Sequence, residues 1–304
     1  QALMTPEAED WLAFECSTTY GNSKLPMTER ILWTLDNHDL ITAVATDPIG
    51  NLSTWEGADE PWRFLAACDA YYHSVILCDR NYTNLPVAVD ATASGLQVLS
   101  GLCRCASTAK LVNVLPSDTP QDAYLVIAEA CIDSIPDRIK PFWDRKKTKR
   151  TVMTIPYNAK PFSNRSYIRE ALKEDGIEVE KEELTQIVNA VREAMCLKFE
   201  GPMKVMKWIE EEVGKAIDRG ASKLTWTTPS GFVVTQSLMK KQVERIRLQL
   251  LGECNIFVAT ADKNEVDKLH HLNATSPNLI HSLDASLLHL STIRFNAPLA
   301  LIHD

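Results

Sequence analysis

Long apolar runs are missing from this chain of 304 residues. No stretch approaches the roughly 20 consecutive apolar residues of a membrane span, so it contains no such helix. Metal-site cysteine spacing is missing too. The eight cysteines (16, 68, 78, 103, 105, 131, 196 and 254) are scattered, and only Cys103 and Cys105 lie close together. A lone C-x-C is poor zinc spacing; no structural metal is expected from it, and most of the cysteines are read as small buried apolar residues in a reducing compartment. Excess positive charge is absent: 32 basic against 40 acidic residues leave a net charge of −8. That argues against a surface that grips nucleic acid everywhere, but it permits a local basic channel. There is no internal repeat or low-complexity linker. The first residues have neither the charged nor the apolar region of a signal peptide. A start at Gln1 rather than Met sets the expectation that the numbering begins inside a longer protein.

What is present is an ordinary globular composition, 45% hydrophobic and 24% charged, long enough for one large or two ordinary domains. Thr5-Pro6-Glu7 and Glu60-Pro61-Trp62 are helix starts. The stripe Phe64, Leu65, Cys68, Tyr71, Tyr72 is read as core. Residues 85–90 (LPVAVD) predict a strand, and Ala93 to Cys103 a helix behind it. Ser117 to Pro120 predict the cap and early proline of a helix carrying Asp122 and Tyr124. Residues 145–156 and 186–218 predict helices, and 223–236, with Pro-Ser-Gly at their centre, a hairpin. Alternation over residues 245–250 places Arg245, Arg247 and Gln249 on one strand face. A helix carrying His281, Asp284 and His289 is expected after Ser276-Pro277, and a final strand ending at His303-Asp304.

Three features carry chemistry. Asp90 and Asp304 each end a strand-like run, and two such carboxylates are the oxygen ligands that a pair of Mg²⁺ ions requires; a helix cap and a terminal carboxylate are the plain alternative. Residues 138–150 (RIKPFWDRKKTKR) hold seven basic residues and one acidic. On a helix, Arg145 and Lys149 lie one turn apart with Tyr157 further along, an arrangement able to meet a triphosphate; a solvated basic helix is the alternative. Residues 173–184 (KEDGIEVEKEEL) read as an acidic, solvated helical face without assigned function.

The order of these motifs resembles the single-subunit, phage- and mitochondrial-type RNA polymerases. It runs from Asp90 to Arg145, Lys149, Arg150 and Tyr157, then to His281-Ser282-Leu283-Asp284, then to His303-Asp304. Residues 112–124 (VNVLPSDTPQDAY) and 226–232 (WTTPSGF) resemble further segments of that family, so the likeness extends from about residue 25 to 304. The resemblance implies an α+β fold, predominantly helical, with a right-hand palm and fingers and a small antiparallel sheet. Residues 1–130 would form the palm core, 131–222 the fingers, 223–265 a hairpin like the family's specificity loop, and 266–304 the rest of the palm. It further implies that Asp90 and Asp304 hold two Mg²⁺ ions. Arg145, Lys149 and Arg150 would serve the nucleotide's phosphates, Tyr157 the base and ribose, and Tyr124 and His281 the nucleotide site. Arg245, Arg247 and Gln249 would meet DNA, although a plain surface role suits the two arginines as well.

The activity implied is DNA-directed RNA synthesis, with DNA template, ribonucleoside triphosphates and RNA product as partners. A monomer with no membrane association is expected, in an infected host's cytoplasm or an organelle matrix. Related DNA polymerases commonly carry a glutamate five residues after the first aspartate, where it blocks a ribose hydroxyl; here that position is Gly95. A glycine there admits the hydroxyl, or else lets the following helix approach the strand closely. Ala91, Val98, Asn158 and Leu287 depart from the family's usual residues. Family members are longer, so the chain is expected to be a fragment, inactive alone. A DNA polymerase or primase of the same fold, a non-catalytic nucleic-acid-binding module and a helical interaction protein remain the competing readings.

Overall fold

Thr5 caps the first long helix by accepting from Ala8 N at 3.2 Å, with Pro6 in the first turn where its missing N–H costs nothing. The computed structural model describes residues 2–117, 119–248, 254–295 and 299–301, which divide into two compact units.

The first unit comprises Gln1–Ala91, Asp118–Pro120 and Ser291–Asp304. It holds β1 (Ala2–Leu3), α1 (Pro6–Ser17), α2 (Met27–Asp36), α3 (His38–Thr46), α4 (Leu52–Trp55), α5 (Pro61–Tyr71) and β2 (Tyr82–Thr83), with β1 and β2 paired antiparallel. On α5 the apolar residues fall at helical spacing, so Phe64, Ala67, Cys68 and Tyr71 share a buried face and meet Leu12 and Cys16 of α1 and Ile41 and Val44 of α3. Of the stripe read as core, Phe64, Cys68 and Tyr71 are buried, whereas Leu65 and Tyr72 are only partly so. Tyr71 keeps a polar partner, His38 Nε2 at 3.0 Å, while burial pushes its hydroxyl pKa up to about 12. Glu15, 1% exposed, is neutralised by Arg63 at 2.6 Å.

The second unit comprises Thr92–Ser117 and Gln121–Leu290. Its helices are α6 (Ser94–Leu102), α7 (Ala106–Leu111), α8 (Ala123–Ala130), α9 (Arg145–Thr154), α10 (Pro161–Lys173), α11 (Lys181–Lys198) and α12 (Glu200–Asp218). Two antiparallel hairpins follow, β3 (Leu224–Thr227) with β4 (Val233–Gln236), and β5 (Met239–Leu248) with β6 (Cys254–Val266), and then α13 (Lys268–Arg294). Ile127, Val152, Ile168, Leu172, Leu184, Ile187 and Val191 form a separate core. Gly231 turns the first hairpin at φ +84°, which suits a residue without a side chain. That hairpin is fastened to α13 by Trp226 Nε1 donating to Ser282 Oγ at 2.9 Å and Ser230 N donating to Ser286 Oγ at 2.8 Å. The fold is α+β and predominantly helical. No helix among the described residues is long and apolar enough to cross a membrane.

Several expectations are corrected. Residues 84–91 form no strand and pair with none among the described residues, because β propensity alone does not hold a strand without a neighbour. Residues 299–301 form no strand either. The cap of α8 is Asp122, which accepts from Tyr124 N at 3.0 Å and Leu125 N at 3.2 Å, not Ser117. The helix expected over 186–218 is two helices broken at Phe199, whose φ of −119° and ψ of 43° are not helical. Pro202 fits only the first turn of the second helix, before N–H groups are needed. The helix expected after Pro277 begins nine residues earlier, at Lys268, and runs through the proline. The acidic stretch 173–184 is no single helical face: it spans the end of α10, a turn and the start of α11. Among the described cysteines only 16, 68 and 131 are buried, and all are free thiols. Cys105 is half-exposed, and hydrogen bonds from Ser107 and Thr108 lower its pKa to about 7.

Phe64→Ala should destabilise the first unit by about 3–5 kcal/mol, the cost of emptying a fully packed aromatic site; urea unfolding measures it.

Candidate nucleotide site

Helix α9 packs five cations into ten residues, Arg145, Lys146, Lys147, Lys149 and Arg150. Three of them sit at its N-terminal end, where the helix dipole disfavours positive charge. Acids from the surrounding chain offset this. Asp144 caps the helix, accepting from Lys146 N at 2.8 Å and Lys147 N at 3.3 Å. Asp122, the cap of α8, accepts from Arg145 Nε. Glu174 pairs with Lys146 at 2.8 Å, Asp175 with the buried Lys147, and Glu170 with Arg150 at 2.7 Å. Glu174 and Asp175 thus belong to the acidic stretch that sequence reading left without a role. Four of the five cations have an acid partner; Lys149, exposed, has none among the described residues.

Buried Thr148, Thr151 and Val152 seat the inner face of α9, and Thr148 Oγ1 donates to Tyr124 O at 2.9 Å. The Arg145 guanidinium lies over the Tyr124 ring, 5.0 Å from its centroid, and its Nη groups have no hydrogen-bond partner among the described residues. Tyr124 is 4% exposed and donates its hydroxyl to Thr92 O at 2.9 Å. Its ring supports Arg145 rather than facing an open cleft. Arg150 is turned toward α10, stacked 4.2 Å over Tyr167 and paired with Glu170.

A short 3₁₀ turn, Ile155–Tyr157, continues α9. There the Tyr157 ring stacks on His281 of α13, with centroids 4.6 Å apart and planes 20° from parallel, so two residues 124 positions apart in sequence meet face to face. The Tyr157 hydroxyl is 3.1 Å from Ser94 Oγ, a partner that sequence reading missed. Gly95 follows Ser94, and a Cβ there would lie 2.9 Å from Pro156 Cβ and 3.1 Å from the Tyr157 hydroxyl. The close neighbour at Gly95 is thus the Pro156–Tyr157 turn, not the strand that the sequence placed before this helix. The chain from Thr92 to Gly95 therefore touches both Tyr124 and Tyr157.

Asp90 lies in the first unit, near the end of the irregular segment 84–91, exposed and without a hydrogen bond or ion pair among the described residues. A free carboxylate of this kind suits Mg²⁺, a hard cation that takes oxygen ligands. Asp304 and His303 lie outside the described residues, as does Gln249. Arg245 and Arg247 alternate onto one exposed face of β5, opposite Phe257 and Asn255 of β6, and Arg245 Nε donates to Asn255 Oδ1 at 2.9 Å.

Comparison with known proteins bears on this arrangement. The family described as DNA-dependent RNA polymerase matches residues 3–304. The chain belongs to that family. It is 27% identical over 364 residues to the DNA-directed RNA polymerase of Enterobacteria phage K11, with 97% of this chain and 39% of that protein covered. With the T7 RNA polymerase of Escherichia phage T7 the identity is 26% over 361 residues, covering 97% and 40%. With the mitochondrial DNA-directed RNA polymerase of Homo sapiens it is 28% over 322 residues, covering 98% and 26%. The chain thus spans about two fifths of the phage enzymes' length and about a quarter of the human enzyme's.

Gly95→Ala should destabilise the second unit by about 1–3 kcal/mol, as overpacking does, because the added methyl meets the Pro156 ring rather than a flexible chain end. A lowered denaturant midpoint checks it.

Proposed function

We propose that the complete polypeptide carrying this sequence synthesises RNA on a DNA template from ribonucleoside triphosphates. The observation that supports this best is the selective neutralisation of α9: four cations are tied down, and Lys149 has no acid partner among the described residues, on the helix that ends at the Tyr157–His281 stack. Phosphoryl transfer calls for positioning and for charge on the moving phosphate to be neutralised. Lys149 is offered as the cation that meets the incoming triphosphate. Arg145, oriented through Nε by Asp122, offers to the same phosphates the Nη groups that have no partner among the described residues. Tyr157, stacked on His281, lies beside base and ribose.

Asp90 and Asp304 would hold two Mg²⁺ ions, which supply charge stabilisation to the attacking and leaving oxygens when bound. In this reading residues 1–130 and 266–304 belong to a palm and 131–222 to fingers. The β5–β6 hairpin, within 223–265, presents Arg245 and Arg247 to DNA. DNA template, RNA product and ribonucleoside triphosphates are the partners, and the working form is a monomer. The relatives are phage enzymes and enzymes of mitochondria and chloroplasts, so the compartment proposed is a host cytoplasm or an organelle matrix.

Nucleotide addition on primed DNA tests the reading. Asp90→Ala should abolish Mg²⁺-dependent incorporation. Lys149→Ala should lower kcat/KM about 10²–10³-fold, the scale for removing one charge-stabilising donor, while Lys146→Ala, on a residue already paired with Glu174, should change it little. Equal effects at 146 and 149 would remove Lys149 from the phosphate role. Tyr157→Phe should narrow the preference for ribo- over deoxyribonucleotides while sparing turnover; undiminished discrimination would leave the hydroxyl to Ser94 alone.

A further inference from the structure

Pro277 sits inside α13 and has no N–H to donate to the carbonyl one turn back, that of Asn273. That carbonyl receives a donor from elsewhere: Asn158 Nδ2, 115 positions earlier in the chain, lies 3.0 Å from it. Asn158 directly follows Tyr157, and its φ of 64° and ψ of 29° are left-handed, a conformation that asparagine tolerates better than most residues. The orientation of its amide follows from its two partners. The Lys160 ammonium, which can only donate, lies 2.8 Å from Oδ1, and the Asn273 carbonyl, which can only accept, faces Nδ2. On the other side Arg192 Nη1 holds Ala159 O at 3.0 Å and Asn164 Oδ1 at 2.8 Å.

The end of the α9 segment is therefore joined to α13 at two points that bracket the proline. One is the Asn158–Asn273 hydrogen bond. The other is the Tyr157–His281 stack, one turn beyond Pro277. We infer that Asn158 is a positioning residue that latches the Tyr157 turn onto the proline-freed carbonyl of α13, and so sets where Tyr157 and His281 stand for an incoming nucleotide. Glycine would satisfy the left-handed backbone equally well, so the backbone alone does not account for an amide here. The carbonyl that Pro277 leaves without its helical donor does. The inference rests on the nucleotide role proposed for Tyr157 and His281, but the latch itself can be tested without it.

Hydrogen exchange and steady-state kinetics on the complete polypeptide decide it. Asn158→Gly keeps the left-handed turn and removes the donor; Asn158→Asp keeps the shape and replaces the donor with an acceptor. Both should speed amide exchange at residues 155–160 and 271–277 and leave α10 unchanged. Both should raise the nucleotide KM about tenfold with little change in kcat, the pattern of lost ground-state positioning by one hydrogen bond. Pro277→Ala supplies the missing helical N–H and competes for the carbonyl. It should therefore slow exchange around 273–281 while speeding it at 157–160, opposite signs that general destabilisation does not produce. Unchanged exchange at 155–160 in Asn158→Gly, or same-sign changes in Pro277→Ala, overturns the latch. Absence of nucleotide addition by the parent polypeptide would sink the polymerase reading, while the exchange results would still decide the latch.

Discussion

Like-charge repulsion along α9 is the constraint around which the second unit is built. Five cations in ten residues would disfavour a helix, each like pair one turn apart costing a few tenths of a kcal/mol and the N-terminal ones opposing the helix dipole. The fold answers with acids drawn from places far apart in sequence: Asp122 from the cap of α8, Glu170 from α10, Glu174 and Asp175 from the turn that follows it. Several do two jobs. Asp122 caps α8 and orients Arg145; Asp144 caps α9 and pairs with Lys147. The outcome is a basic helix whose charge is mostly satisfied internally, with Lys149 the cation that has no acid partner among the described residues.

The turn that ends α9 depends on equally specific packing. A residue with no side chain at 95 lets α6 lie against Pro156 and Tyr157, Ser94 meets the Tyr157 hydroxyl, and His281 covers the ring. The left-handed Asn158 then sends the chain on toward α10. These contacts place an aromatic face and a cationic side chain on one element of the second unit, an arrangement suited to a ligand with both a base and phosphates.

Much of this was legible in the chain. Helical spacing marked Phe64, Cys68 and Tyr71 as core, the Pro-Ser-Gly turn marked the β3–β4 hairpin, and the order of motifs pointed to the polymerase family. Strand assignments fared worse. Residues 85–90 have β-prone composition, but pairing is a property of two segments, and no described segment pairs with them. Helix ends failed where a proline has two readings: Pro202 opens a helix, whereas Pro277 sits inside one. Local composition does not distinguish these, since the difference lies in which carbonyl each proline deprives and what else can reach it. The exposed and half-exposed cysteines were misjudged for the same reason, because burial depends on neighbours distant in sequence.

By itself the sequence determined the family, the helical character and the residue types able to handle nucleotide phosphates, because these follow from local spacing and from the order of motifs along the chain. Tertiary structure alone decided which cation of α9 keeps no acid partner among the described residues, that the space beside Gly95 is filled by Tyr157, and that Asn158 reaches the carbonyl of Asn273. Each of those outcomes depends on side chains tens to more than a hundred positions apart meeting within hydrogen-bonding or van der Waals range, and no local pattern encodes such meetings.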